Sequence, residues 1–289
     1  GTGAISLTVG SSTSGNFSPG DMSILAGLTG NGGVTISVPT GTTNSFSGAL
    51  TSTGTLTKNG AGLISFDNDN SGTFSGPTVI NAGTILVTTA GSLGTGAITV
   101  NNTGTFAIGG ISLTIANPTI NLNTGSTLSD DNTFPSANTT TITGNIVISG
   151  TVTIFANDQG TFGNSLYFST GAVSGSSVVI NKTGSGTLVL TGTNTYTGTM
   201  NVNAGSVVAA SNDAFGNNVI NVVNVNTASL SLFGTSLALP ANVTLNFLTG
   251  SSLVDDNVGG GNSIAGAVSF TNTNTFNVAQ SGSSLTLTG

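Results

Sequence analysis

The sequence contains no arginine, histidine, glutamate, tryptophan or cysteine, and its only basic residues are Lys58 and Lys182. Each gap removes a class of function. Without histidine there is no Ser–His nucleophile, and without cysteine there is no disulfide framework and no thiolate metal site. With two cations in 289 residues, nucleic acid is not an expected partner, because phosphate binding is mainly cationic. Charged residues are 4% of the chain, against about 25% in an ordinary soluble domain. All nine acids are aspartate, and the formal net charge is −7. No apolar run approaches the ~20 residues that carry a helix across a bilayer, so no transmembrane segment is expected. No signal peptide is legible at Gly1, as expected of a mature chain or a fragment.

What is present is glycine (44 residues) together with threonine, serine, asparagine and aliphatics. Thr, Val and Ile favour strands, Gly and Asn favour turns, and the strong helix formers are nearly missing. Apolar residues alternate in short runs such as Ile5-Leu7-Val9, Val34-Ile36-Val38, Leu188-Leu190 and Leu285-Leu287. That is the mark of strands with one apolar face. The expected class is all-β.

The two lysines lie in related phrases, "LTKNGAGLISF" from Leu56 and "INKTGSGTLVL" from Ile180, with the lysines 124 residues apart. Other phrases recur at nearly the same step. "TFSG" at Thr73 returns as "TYTG" at Thr195, "NAG" at Asn81 returns at Asn203, and "GSTLSDDN" at Gly125 returns as "GSSLVDDN" at Gly250. The chain therefore divides into an N-terminal partial or capping stretch (1–45) and two long units (46–169 and 170–289) of one continuous object. Short strands and long-period duplication fit a β-solenoid, which grows by stacking. At ~4.8 Å per coil and roughly 20–25 residues per coil, it would make about 12–14 coils and a rod of roughly 60 Å. Asn, Thr and Ser at the turns would bond to the rungs above and below.

The order of the phrases, a lysine–glycine corner, then an aromatic "TFSG" or "TYTG", then "NAG", resembles the passenger-associated repeat of bacterial autotransporters. The resemblance covers Leu56–Ile108 and Val178–Gly216. It implies a right-handed parallel β-helix on the bacterial exterior, serving as a stalk or adhesive surface. The membrane-inserting C-terminal barrel of an autotransporter is not in the sequence, so the likeness concerns the passenger part.

Within the phrase, Gly60, Gly62, Gly184 and Gly186 suit positive φ or close backbone approach at a corner. Lys58 and Lys182 are expected on the surface. The aspartate pairs Asp130-Asp131 and Asp255-Asp256 read as turns accepting backbone N–H bonds. The loop Asp67-Asn68-Asp69-Asn70 reads as solvated. Asp67, Asp69, Asp130, Asp131, Asp255 and Asp256 are the candidate oxygen ligands should Ca²⁺ bind; no other metal, cofactor or catalytic residue is expected. Active sites are rarely duplicated in register, whereas turns are, so the chain is read as no enzyme.

The expected role is a structural extracellular protein, a subunit of a cell-surface or matrix fibre whose copies join end to end. Strand-like runs at both ends, with no capping helix, would template such pairing. The alternatives are an adhesive stalk or autotransporter-like passenger, and more distantly a carbohydrate-binding or carbohydrate-active β-helix. The last wants aromatic material for sugars, and aromatics are 6% of the chain with no tryptophan.

Overall fold

A computed structural model describes residues 5–8, 22–24, 28–29, 32–131, 138–158, 163–222, 228–257 and 259–289. Strands are short, mostly two to six residues, and no helix occurs among the described residues. The strands pair in parallel with the preceding and following coil, never with their sequence neighbours. Parallel pairing needs a crossover between partners, and here the crossover is the rest of one coil.

The coil has three faces, visited in a fixed order. Face one starts as an 8-stranded sheet running from Ile5–Thr8 to Val173–Ser174. The 3-stranded sheet of Ala238–Leu239, Gly260–Ile264 and Ser283–Leu287 takes the same place in the cycle higher up. Face two is a 12-stranded sheet from Met22–Ile24 to Val268–Phe270. Face three comprises the Leu28–Thr29/Leu50–Thr51 pair and an 8-stranded sheet from Thr114–Ile115 to Thr275–Val278. Faces one and three are each interrupted once, while face two is unbroken.

Alternation along each strand sends every second side chain inward. Ile64, Ile85, Phe106, Leu128 and Ile154 stack on successive coils of face two. Ile36 and Ile80 stack on either side of residue 58 in face one. These columns merge into one apolar core along the axis, with most members under 2% exposed. A slip of one residue in any pairing would turn a whole column outward, so register carries the fold.

Outside, asparagines zip the corner that follows face one. Asn81 Nδ2 donates to Asn59 Oδ1 (2.9 Å), Asn101 to Asn81 (2.8 Å) and Asn123 to Asn101 (2.7 Å). The rung-to-rung bonding expected of turn asparagines is present. A second pair, Asn201 Nδ2 to Asn181 Oδ1 (2.9 Å), lies in the later unit.

The duplicated phrases are not stacked one above the other. In the first, the Leu56–Asn59 strand lies in face one and Leu63–Phe66 in face two. In the second, Val178–Thr183 lies in face two and Thr187–Leu190 in face three. The step of 124 residues therefore equals five coils and one further face. The corner is a portable unit that serves two different edges of the prism.

Candidate functional site

The lysine corner is built the same way twice, and it overturns the expectation of surface lysines. Both side chains are 0% exposed. They take slots in the apolar columns: Lys58 between Ile36 and Ile80, and Lys182 between Ile154 and Val202. Lys58 Nζ donates to the carbonyls of Asn59 (2.9 Å), Gly60 (2.6 Å) and Ala82 (3.1 Å). Lys182 Nζ donates to Thr183 (3.0 Å), Gly184 (2.9 Å) and Ala204 (3.1 Å). An ammonium has three donors and no acceptor, so the cage uses all of it without a carboxylate. Burial pulls both pKa values down to about 8, and at neutral pH the ammonium form persists to feed the three carbonyls.

The third carbonyl in each cage belongs to the "NAG" phrase one coil above. The lysine thereby clips its own corner to the next, which explains why the two phrases recur together about one coil apart. Glycine makes the corner possible. Gly60 and Gly184 have φ of 75° and 77°, and a Cβ on either would lie 2.2 Å from a carbonyl oxygen of the coil below, that of Val38 or Ala156. Gly62 and Gly186 do not share the positive φ, but a Cβ on them would lie 2.2 and 2.8 Å from a carbonyl oxygen of the coil below, that of Pro39 and Asn157 respectively.

Beyond each corner one face loses its strand, and an asparagine stands in for it. Asn70 is 1% exposed and Asn194 4%, so the expectation of a solvated loop fails at Asn70. Asn70 Oδ1 accepts from Leu50 N–H (2.8 Å) and its Nδ2 donates to the Ser92 carbonyl (2.8 Å). Asn194 Oδ1 accepts from Val173 N–H (2.7 Å) and its Nδ2 donates to the Ala214 carbonyl (2.6 Å). The side-chain amide thus does what a strand's peptide group would do, bonding the coils below and above. Phe74 and Tyr196 fill the space beneath, 1% and 0% exposed. The available sequence signal was an asparagine that recurs at a step of 124 residues, four residues before Phe74 in one phrase and two before Tyr196 in the other.

The candidate acids go to separate places. Asp67, half-buried at the end of its strand, gathers hydroxyls from three coils: Ser45 (3.2 Å) and Ser47 (3.4 Å), Ser65 (3.4 Å) and Thr88 (2.9 Å). Asp69 is exposed and accepts from Ser71 N–H (2.9 Å), which holds its pKa below the usual value. Asp130 and Asp255 are not turn caps. Each is the last residue of its strand, points inward and is at most 1% exposed, while Asp131 and Asp256 alternate outward. The strand's two-residue period continues through the pair and drives one carboxyl into the core. Asp130 Oδ1 accepts from Thr140 Oγ1 (3.0 Å) and Asp255 Oδ1 from Asn262 Nδ2 (2.7 Å). Neither Oδ2 has a partner among the described residues. Burial, more than the neighbouring Asp131, raises the Asp130 pKa to about 6. Among the described residues no three acids gather as metal ligands do, and Asn132, beside the first pair, lies outside them.

Three faces of parallel strands on one apolar axis define a β-solenoid, and the repeated corner narrows the class further. The family model of the passenger-associated transport repeat matches residues 56–87 and 180–209. The chain therefore carries two of these repeats, and they are the segments that hold the lysine cages and asparagine bridges. A repeat of autotransporter passengers points to export toward the cell exterior. No curated protein and no solved structure matches the chain. No helix of the described residues is long and apolar enough to cross a membrane.

Three outcomes test these assignments. Asn194→Ala leaves Val173 N–H and the Ala214 carbonyl buried without partners. It should cost about 2–4 kcal/mol in chemical denaturation, and Asn70→Ala a similar amount. Both lysines should resist acylation in the folded protein at pH 7.5. If only global unfolding exposes them, labelling followed by mass spectrometry should be about 1,000-fold slower than in denaturant. Asp130 binds its proton more tightly folded than unfolded. Its contribution to stability is therefore full below pH 3.8 and is lost as pH rises through about 6. Thermal melts should show a fall over that window, and Asp130→Asn should flatten it.

Proposed function

We propose that this chain is a structural shaft of an exported bacterial surface protein, a passenger-type solenoid with no catalytic task. The observation that carries the reading is the twice-built corner, whose lysine, glycines and asparagine are all spent on holding coil to coil. The dispersal of the candidate acids supports the same view: Asp67 is tied to hydroxyls and Asp69 to a turn, Asp130 and Asp255 point into the interior, and Asp131 and Asp256 point outward. Exterior service also suits a chain in which both trypsin-sensitive residues are sealed inside.

A finer reading is that copies join end to end in a fibre. In the last coil of the sequence Phe270 (44% exposed), Phe276 (46%), Val278 (37%) and Leu287 (42%) face solvent, an apolar step that either a following coil of the same chain or a second copy would cover. Phe270 already stacks on Phe247 below it, with centroids 5.1 Å apart. Another coil laid on top would cover this apolar step and complete three open sheet edges, each new backbone bond contributing about 0.5–1.5 kcal/mol net. Few charges take part, so the joint should resist salt. Negative-stain electron microscopy and sedimentation of the purified chain decide between the readings. Filaments that shorten or vanish on deleting Ser284–Gly289 are expected for the fibre. A wild-type chain that stays monomeric at high concentration would leave the solitary stalk or adhesive passenger.

A further inference from the structure

Two clefts open on the surface, of about 300 and 340 Å³, and they are the same cleft twice. Each lies above an interrupted face, beside the asparagine that bridges the gap. Ser71 in the first answers Thr195 in the second, Gly94 answers Gly216, and Ala116 answers Pro240, at steps of 122–124 residues.

The carboxylates do not follow that correspondence. Asp69 lines the first cleft, and its counterpart in the second is Thr193. Asp213 lines the second, and its counterpart in the first is Gly91, one coil above Asp69. Glycine there leaves the room the acid needs, since a Cβ on Gly91 would stand 2.2 Å from Asp69 Oδ1. Each cleft thus has one exposed carboxylate, supplied from opposite walls. A turn requirement would have kept the position of the acid; what has been kept is the charge.

The rest of the molecule gives that charge a direction. Both lysines are enclosed, and the sequence has no other cationic side chain, so every exposed side-chain charge is negative. We propose that the two clefts are a matched pair of binding subsites, each accepting one alkylammonium group of a free polyamine or of a lysine side chain. The carboxylate and the threonine hydroxyls at Thr95 and Thr195 offer acceptors, and charge-assisted bonds of this kind are the stronger ones. Small and apolar lining at Ala90, Ala116 and Pro240 suits a methylene stem. A hard divalent ion fits less well, since it takes six to eight oxygens and commonly several carboxylates. The subsites are five coils and one face apart, about 25 Å along the rod, so a flexible partner that occupies both wraps partway round it.

The test needs only the purified chain and does not depend on end-to-end assembly. Calorimetric titration at low ionic strength with putrescine, and separately with N-acetyl-lysine methylamide, should show two saturable sites. Asp69→Asn, which keeps the oxygen that accepts from Ser71, and Asp213→Asn should each remove one, weakening it about tenfold or more. The double variant should remove both, and Asp131→Asn neither. The probe that binds tighter names the source, a polyamine or a protein side chain. Absence of saturable binding, indifference to both substitutions, or an equal loss on Asp131→Asn, which would mean diffuse charge alone, overturns the proposal.

Discussion

Coil-to-coil register is the constraint on which the rest of this structure depends. Each strand pairs only with its counterparts one coil below and one above, so no local hairpin fixes the alignment. The inward columns, Ile64 to Ile154 among them, supply most of the apolar burial but read much the same at any register that keeps the alternation. Specificity has to come from groups with directed partners. The caged lysines, bridging asparagines and external asparagine ladder each name one atom on the neighbouring coil.

The lysine cage shows how such a group is tolerated in an apolar column. A buried charge without compensation is costly, and among the described residues no carboxylate pairs with it. Three carbonyls at a tight corner, two from the lysine's own turn and one from the next, take its three protons. Those carbonyls converge because glycine at 60 and 184 lets the chain turn with positive φ against the coil below. Cation and corner are therefore mutually dependent, which is why lysine and glycine appear together in the phrase.

Because the cage closes within one corner and the coil above it, the unit is indifferent to which face it leaves. That lets the second copy sit one face further round, and it moves the interrupted face, with its cleft, to a new side of the rod. Duplication has in this way given the surface two similar recesses pointing in different directions.

The sequence by itself determined the class of fold, the repeat and the likeness to passenger repeats, because alternation and phrase order are one-dimensional signals that survive in a parallel stack. It also marked Gly60 and Gly184, since turn chemistry is local, but it passed over the asparagine shared by the two phrases. It did not place Lys58 and Lys182 in the core, because a lysine in an alternating strand looks alike whether its period points in or out until the corner carbonyls are positioned. Asp130 and Asp255 were read as turns for the same reason: the strand ran one residue further than its composition suggested. The rotation between the copies and the pairing of Asp69 and Asp213 with equivalent clefts were decided only by the tertiary structure. Both depend on how many faces fit into 124 residues, and coil length is set by packing around the axis.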